Sequence, residues 1–371
     1  WRSAMVEITN PSVAVCVLAG LDGMGPRRLH RVLQAYDPAT ALAAIRDGTI
    51  PSFVAASELS NIWAGELCEV DELAVARQLR DNKIVVTYVG HRDHPALLSE
   101  DIDPAPVLFR RGKALGFEGP KVAIIGTRRS SGLGREVARE LGFGLAQAGV
   151  SVVSGLALGV DGAAHQGALA AQAAPPVAVV GGGPDVVYPK RHADLWQDMV
   201  ASGTVASEAP PGAAPVAWRF PARNRLIAAF SDLVVVVESR AAGGSMLTVN
   251  EAIRRGRDVM AVPGSVRNPA AVGTNQLIAE GCAPVMSVED VLVALGLTEA
   301  QRSGRRSAVA SPAPTVPSHL VVVLDAIDDG PTSIERVVDR SGESVVSVLS
   351  RIDELVALDL VVHDGIRVRR A

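Results

Sequence analysis

Hydrophobic and polar positions follow two different periods along this chain. From residue 10 to about 75 apolar residues recur at three- and four-residue spacing, in VAVCVLAGL, RRLHRVLQAY and GELCEVDELAVARQLRD, which predicts short amphipathic helices. From residue 83 the period changes. KIVVTYVG (83–90) and PVLFRRG (106–112) read as strands, and six β-branched runs follow: KVAIIG (121–126), VSVVSG (150–155), PVAVVGGG (176–183), TVASE (204–208), DLVVVVES (232–239) and DVMAVPG (258–264). Helical segments lie between most of them, such as GLGREVARELGFGLAQAG and SMLTVNEAIRRG. Strands apolar on both faces and alternating with helices predict an α/β fold, a Rossmann-like doubly wound and mostly parallel sheet covered on both sides.

Periodicity stops over residues 298–316, where Ser, Pro, Arg and Ala dominate and a linker is expected. The expected organisation is a helical domain over 1–78, the sheet domain over 79–297, the linker, and a winged helix over 317–371, whose spacing is helix, helix, helix and hairpin. From residue 317 onward six Arg face ten Asp plus Glu. A groove reader needs local positive charge, so this module is expected to contact protein or pack, not to read DNA.

Composition narrows the classes further. A chain of 371 residues at 48% hydrophobic can bury a large core, and charged residues interrupt every strong apolar patch before membrane-spanning length. Three cysteines, widely spaced and without a CxxC pair, fit a reducing compartment and argue against a disulfide framework or a zinc site. No signal-peptide pattern is visible, so the cytoplasm is the expected location. The net charge of −4 means that any nucleic acid must meet a local positive patch.

Small and cationic residues gather where the strands end. The turn Gly126-Thr127-Arg128-Arg129-Ser130-Ser131-Gly132-Leu133-Gly134 is not G-x-G-x-x-G, and the second strand ends at Ser154-Gly155 instead of an acid, so dinucleotide binding is disfavoured. No G-x-x-x-x-G-K-[ST] exists for a triphosphate. What remains is an anion site without evident chemistry, for which neither cofactor nor metal is expected. Arg128 and Arg129 offer planar forks for phosphate. Asp161 is expected to cap the helix that carries His165, and the pair, four residues apart, reads as structural hydrogen bonding in preference to metal ligation. Lys190 and Arg191 add charge after Gly181-Gly182-Gly183. Arg223, Asn224 and Arg225 stand at the start of an apolar helix, where cations oppose the helix dipole and call for an anion. Gly243, Gly244, Ser245 and Thr248 open the next helix as a second cradle. Two cradles and several cations suit a polyanion, with single-stranded nucleic acid the natural fit. At 4% aromatic residues, backbone contacts should outweigh stacking. Near the N-terminus, Leu21-Asp22-Gly23-Met24-Gly25-Pro26-Arg27-Arg28 resembles a helix-hairpin-helix turn, with an ordinary Gly turn between packed helices as the preferred reading.

With these residues assembled, the chain resembles the DprA (Smf) family of bacterial DNA-processing proteins. The likeness runs over about residues 80–297 through GTR (126–128), SGLALGVDGAAH (154–165), GGGPDVVYP (181–189), SE (207–208), FPARNRLIAAFSD (220–232), GGSMLT (243–248) and VPGSVRNPAAVGTNQLIAEG (262–281). It implies a homodimer that binds single-stranded DNA through the Rossmann-like domain, protects it, and loads RecA during DNA uptake, with single-strand-binding protein as a further partner. The family's pocket Arg and Lys fall on Arg128 and Lys190, with the Arg-Asn-Arg segment nearby; Met246, Val249 and His192 depart from the usual pattern without disturbing it. The alternative is a nucleotide-processing hydrolase of the lysine-decarboxylase-like Rossmann group. That group's P-G-G-x-G-T-x-x-E signature is absent, since Pro263-Gly264 is followed by GTNQLIAEG with no Glu at that spacing.

Overall fold

A computed structural model of the protein describes residues 10–52, 54–113, 119–297, 317–327, 332–357, 361–363 and 367–370. The chain divides into two compact units, residues 1–309 and 310–371. The expected linker over 298–316 lies outside the described residues.

The first unit opens with five helices, α1 (Pro11–Gly20), α2 (Pro26–Ala35), α3 (Pro38–Arg46), α4 (Ser57–Glu69) and α5 (Glu72–Asp81). Proline at the first turn starts α1, α2 and α3, where its missing N–H has no partner to lose. The segment read as one helix, GELCEVDELAVARQLRD, is two: Asp71 takes extended backbone and its side chain accepts Ala74 N–H, closing the path from α4 and capping α5. The five helices close over the fully buried Leu18, Leu42, Ile45 and Trp63 and share that core with Val86, Val107 and Phe109 of the sheet. The helical region and the sheet edge are therefore one body.

Nine strands follow: β1 (Val85–Tyr88), β2 (Val107–Gly112), β3 (Lys121–Ile125), β4 (Ser151–Ser154), β5 (Val177–Val179), β6 (Thr204–Ser207), β7 (Leu233–Val236), β8 (Asp258–Ala261) and β9 (Ala283–Pro284). Between them lie α6 (Ala96–Ser99), α7 (Gly132–Gln147), α8 (Val160–Ala170), α9 (Ala193–Ser202), α10 (Arg219–Ala229), α11 (Gly244–Arg254) and α12 (Val272–Ala279), and α13 (Val288–Ala294) closes the unit. The strand order is β1-β2-β6-β5-β4-β3-β7-β8-β9. Strands β3 to β9 run parallel, whereas β1 and β2 join antiparallel at the β6 edge. One face of the sheet packs α7, α8 and α13 against Val122, Ile124, Val152 and Val235; the other packs α10, α11 and α12 against Ala123, Ile125, Val153 and Val236. The β-branched runs alternate between these two cores, which is why they show no polar face in the sequence. From β3 the chain winds out through β4, β5 and β6, then returns to set β7 on the other side of β3. This reversal is a topological switch point, and the loops that leave β3 and β7 there diverge and open a crevice.

In the second unit, helices Ser318–Asp325, Ile334–Ser341 and Val345–Ala357 pack on a three-stranded antiparallel sheet made from Thr332–Ser333, Arg367–Arg370 and Val361–His363. Its core holds Leu320, Val323, Val337, Val348, Ile352 and Leu355. The order along the chain is helix, short strand, helix, helix and hairpin, one strand more than the helix, helix, helix and hairpin spacing of the sequence. Among the described residues of either unit, no helix is long and apolar enough to cross a membrane.

Candidate functional site

The crevice at the switch point is a cavity of about 460 Å³. Its walls are the loop after β3 (Gly126 to Arg129), the start of α10 (Phe220, Arg223, Asn224) and the start of α11 (Gly243, Gly244, Ser245, Thr248), with Asp161 and Arg240 beside them. Of the residues singled out from the sequence, Gly126, Arg128, Arg129, Arg223, Asn224, Gly244, Ser245 and Thr248 meet here.

The arginine loop is held by a carboxylate 107 residues away in the chain. Glu238, just past β7, accepts Ser131 N–H at 2.8 Å and the Ser131 hydroxyl at 2.6 Å, and it also accepts Asn268 Nδ2 at 3.1 Å. Its backbone carbonyl accepts Thr127 N–H at 2.7 Å. The Ser131 hydroxyl in turn accepts Gly134 N–H and caps α7. The carboxylate reaches this position because residue 134 has no side chain: a Cβ there would stand 2.4 Å from it. In dinucleotide-binding folds, the first helix N-terminus is where a phosphate sits. Here the protein's own Glu238 supplies that anion. At the cavity, α11 offers an external phosphate a helix N-terminus whose cap, Gly243, carries no side chain.

Arg223 forms the floor. It is 7% exposed, donates to Val179 O, and packs so closely over Gly155 that a Cβ at that position would lie 2.1 Å from its guanidinium. Burial pushes Arg223 down to about 10, opposed by the Asp161 charge. The Asp161 carboxyl is raised by burial and pulled back by Arg223, and it accepts Gly155 N–H at 3.1 Å. Asp161 does not cap α8 as expected. That cap is Gly159, at φ 84°, and Asp161 lies inside the first turn. Nor does Asp161 meet His165, whose Nε2 pairs with Val177 O at 3.3 Å; burial lowers His165 to about 4 and leaves it neutral.

Four of the sequence candidates are placed elsewhere. Gly155 lines an adjoining pocket of about 100 Å³, together with Arg128, Tyr188, Phe220 and Arg223. Ser154 is wholly buried and donates to Ile124 O at 2.6 Å, tying β4 to β3. Lys190 is exposed in a 3-10 turn, Lys190–His192, and lines neither cavity. Arg225 points away altogether. Its guanidinium makes two 2.6 Å bonds to Glu208 and one of 2.7 Å to Asp103 O. The reason is that α10 begins at Arg219, so all three Arg-Asn-Arg residues lie inside the helix instead of before it. Residues two apart on a helix point about 200° apart, which sends Arg223 and Arg225 to opposite sides.

The structure adds residues that the sequence reading did not weigh. Arg128 lies over the Phe220 ring at 5.1 Å, and Phe220 meets Tyr188 at 5.5 Å between ring centroids, so an aromatic wall faces the cations. The fold thus gathers two of the chain's few aromatic rings beside the cavity. Arg240, exposed in the loop that follows β7, adds a third cation to the rim. At the N-terminal Gly turn, by contrast, Glu66 takes the Asp22 N–H at 3.0 Å and Arg28 folds back on Gly23 O at 2.5 Å. These contacts tie the turn to α4 and α2.

A sequence model of the DNA recombination-mediator protein A family matches residues 85–296, from the first residue of β1 to the end of α13 and its following turn. The chain belongs to this DprA family. It is 35% identical over 213 residues to DNA processing protein DprA of Bacillus subtilis, covering 57% of this chain and 71% of that protein. The X-ray structure of DprA from Streptococcus pneumoniae is similar at a TM-score of 0.66 and 31% identity, over 77% of this chain and 98% of the other. DNA processing protein A from Helicobacter pylori, whose structure describes a single-stranded DNA binding mode, is similar at a TM-score of 0.52 and 27% identity, over 57% of this chain and 95% of the other. The DprA match spans the whole nine-stranded body and every residue that lines the switch-point cavity.

Proposed function

We propose that the switch-point cavity binds single-stranded DNA and that the protein acts, without catalysis, as a recombination mediator. On this reading it works as a homodimer in the cytoplasm, protects the strand, cooperates with single-strand-binding protein, and loads a RecA-type recombinase during DNA uptake. One observation carries the DNA reading. In one cavity the Arg128 guanidinium lies over the Phe220 ring, and the start of α11 there carries no side-chain cap. Phosphate and base are the two groups that repeat along a single strand, and this wall offers a partner for each. Duplex DNA keeps its bases stacked inside and cannot reach the ring. Membership of the DprA family supports the dimer, the recombinase and the uptake role.

A nucleotide hydrolase would need a matched acid and base. Among the described residues, the one carboxyl lining the cavity is Asp161, which is held by Gly155 N–H and by the charge of Arg223. The test is binding of a labelled oligonucleotide, single-stranded against duplex, across a salt series without ATP or magnesium. Tight, steeply salt-dependent preference for the single strand is expected. Equal weak binding to both, or none, overturns the reading and favours hydrolysis of nucleoside monophosphates.

A further inference from the structure

Trp218 is the most exposed of the Phe, Tyr and Trp side chains among the described residues. Of the four tryptophans, Trp63 and Trp196 are fully buried, whereas Trp218 is 59% exposed, and Trp1 lies outside the described residues. Its indole is not simply displaced into solvent. The Arg219 guanidinium stands 5.2 Å from the ring centroid, held there by a 2.9 Å bond to Ala214 O. A cation over one face of an indole fixes the ring and leaves the other face open.

The place of Trp218 gives that open face a use. Trp218 has helical backbone angles and caps α10, two residues before Phe220. The two rings therefore leave the helix start in nearly opposite directions. Phe220 faces the switch-point cavity, while Trp218 lines the groove between the turn after α1 and the loop at Pro210 to Ala213. A strand leaving Phe220 toward Trp218 crosses the N-terminal end of α10, where the helix dipole and Arg219 are both positive. Every base has a π-face, so a second platform of this kind takes a neighbouring nucleotide whatever its sequence.

We infer that Trp218, backed by Arg219, is a second stacking platform that takes a base of the same single strand outside the cavity, carrying the bound strand across the start of α10 onto the N-terminal helical region. This rests on the proposed binding of single-stranded DNA at the cavity.

The test uses the full chain with oligothymidylates of increasing length, read in parallel by anisotropy of a labelled strand and by tryptophan emission. Saturation of the wild type should quench emission, and Trp218→Phe should keep the affinity while losing most of the quench. Trp218→Ala should weaken long oligonucleotides at least about fivefold, the low end of what one stacked base contributes, and leave the shortest that bind unchanged. Since the side chain is exposed, neither variant should alter folding, and circular dichroism checks this. Wild-type binding with unchanged emission and an unaffected Trp218→Ala overturns the platform alone. Absence of wild-type binding overturns the cavity reading and the platform with it.

Discussion

Replacing Arg225 separates a structural arginine from a DNA-binding one. Its guanidinium and the Glu208 carboxylate are 9% and 10% exposed, joined by two 2.6 Å bonds, with Asp103 at 3.5 Å. Truncation in Arg225→Met leaves a buried carboxylate without its cation, a loss of about 3–5 kcal/mol for pairs of this kind. The loss should depend on pH. Burial already pushes Glu208 up to about 7 against the pull of Arg225, and removing the cation raises it further. For a carboxyl whose folded pKa is raised above the unfolded value, stability is fully present below the unfolded pKa and falls as pH rises through the folded one. In the wild type that decline runs from about 4.5 to about 7. In the variant it extends higher, so Arg225→Met should be least damaged near pH 5 and most near pH 8. Urea unfolding of the full chain at several pH values measures this. The double variant Arg225→Met/Glu208→Leu should recover most of the loss, because of the two carboxylates only the partly exposed Asp103 is then left without this cation. Since Arg225 lines no part of the cavity, the folded Arg225→Met protein at pH 6 should bind single-stranded DNA within about twofold of wild type, less than the ~1.4 kcal/mol of a tenfold change. If instead the variant keeps its stability and loses DNA, Arg225 faces the strand and the assignment of α10 is wrong.

Two further outcomes concern the cavity itself. Arg128→Ala should weaken single-stranded DNA of every sequence alike and reduce the slope of log affinity against log salt by about one, because it removes one phosphate contact; an unchanged salt series would place the strand elsewhere. Glu238→Gln should weaken binding even though it removes negative charge beside the site, since it loosens the loop that carries Arg128 and Arg129; tighter binding on titration would show that Glu238 acts by repulsion and not by holding the loop.

Much of this protein follows from its sequence alone. The β-branched runs announced β3 to β8, because a parallel sheet buried on both faces has no polar alternation to hide them. Strand ends carrying Gly126-Thr127-Arg128 and Gly243-Gly244-Ser245 located the cavity, since parallel strands bring such ends to one edge. The two-residue strand β9 was too short to leave a period, and the break between α4 and α5 depended on the single cap of Asp71. Tertiary structure decided what no local pattern holds. Whether Arg223 or Arg225 meets the cavity turns on the start of α10 at Arg219, which packing fixes and composition does not. That Glu238 occupies the anion position of α7 requires residues 107 apart to meet, and that Phe220 lies under Arg128 requires β3 and α10 to converge. Periodicity records which side chains are buried, a local property of a strand or helix. The direction of a charged or aromatic side chain at the end of an element depends on neighbours that only the closed sheet brings into reach.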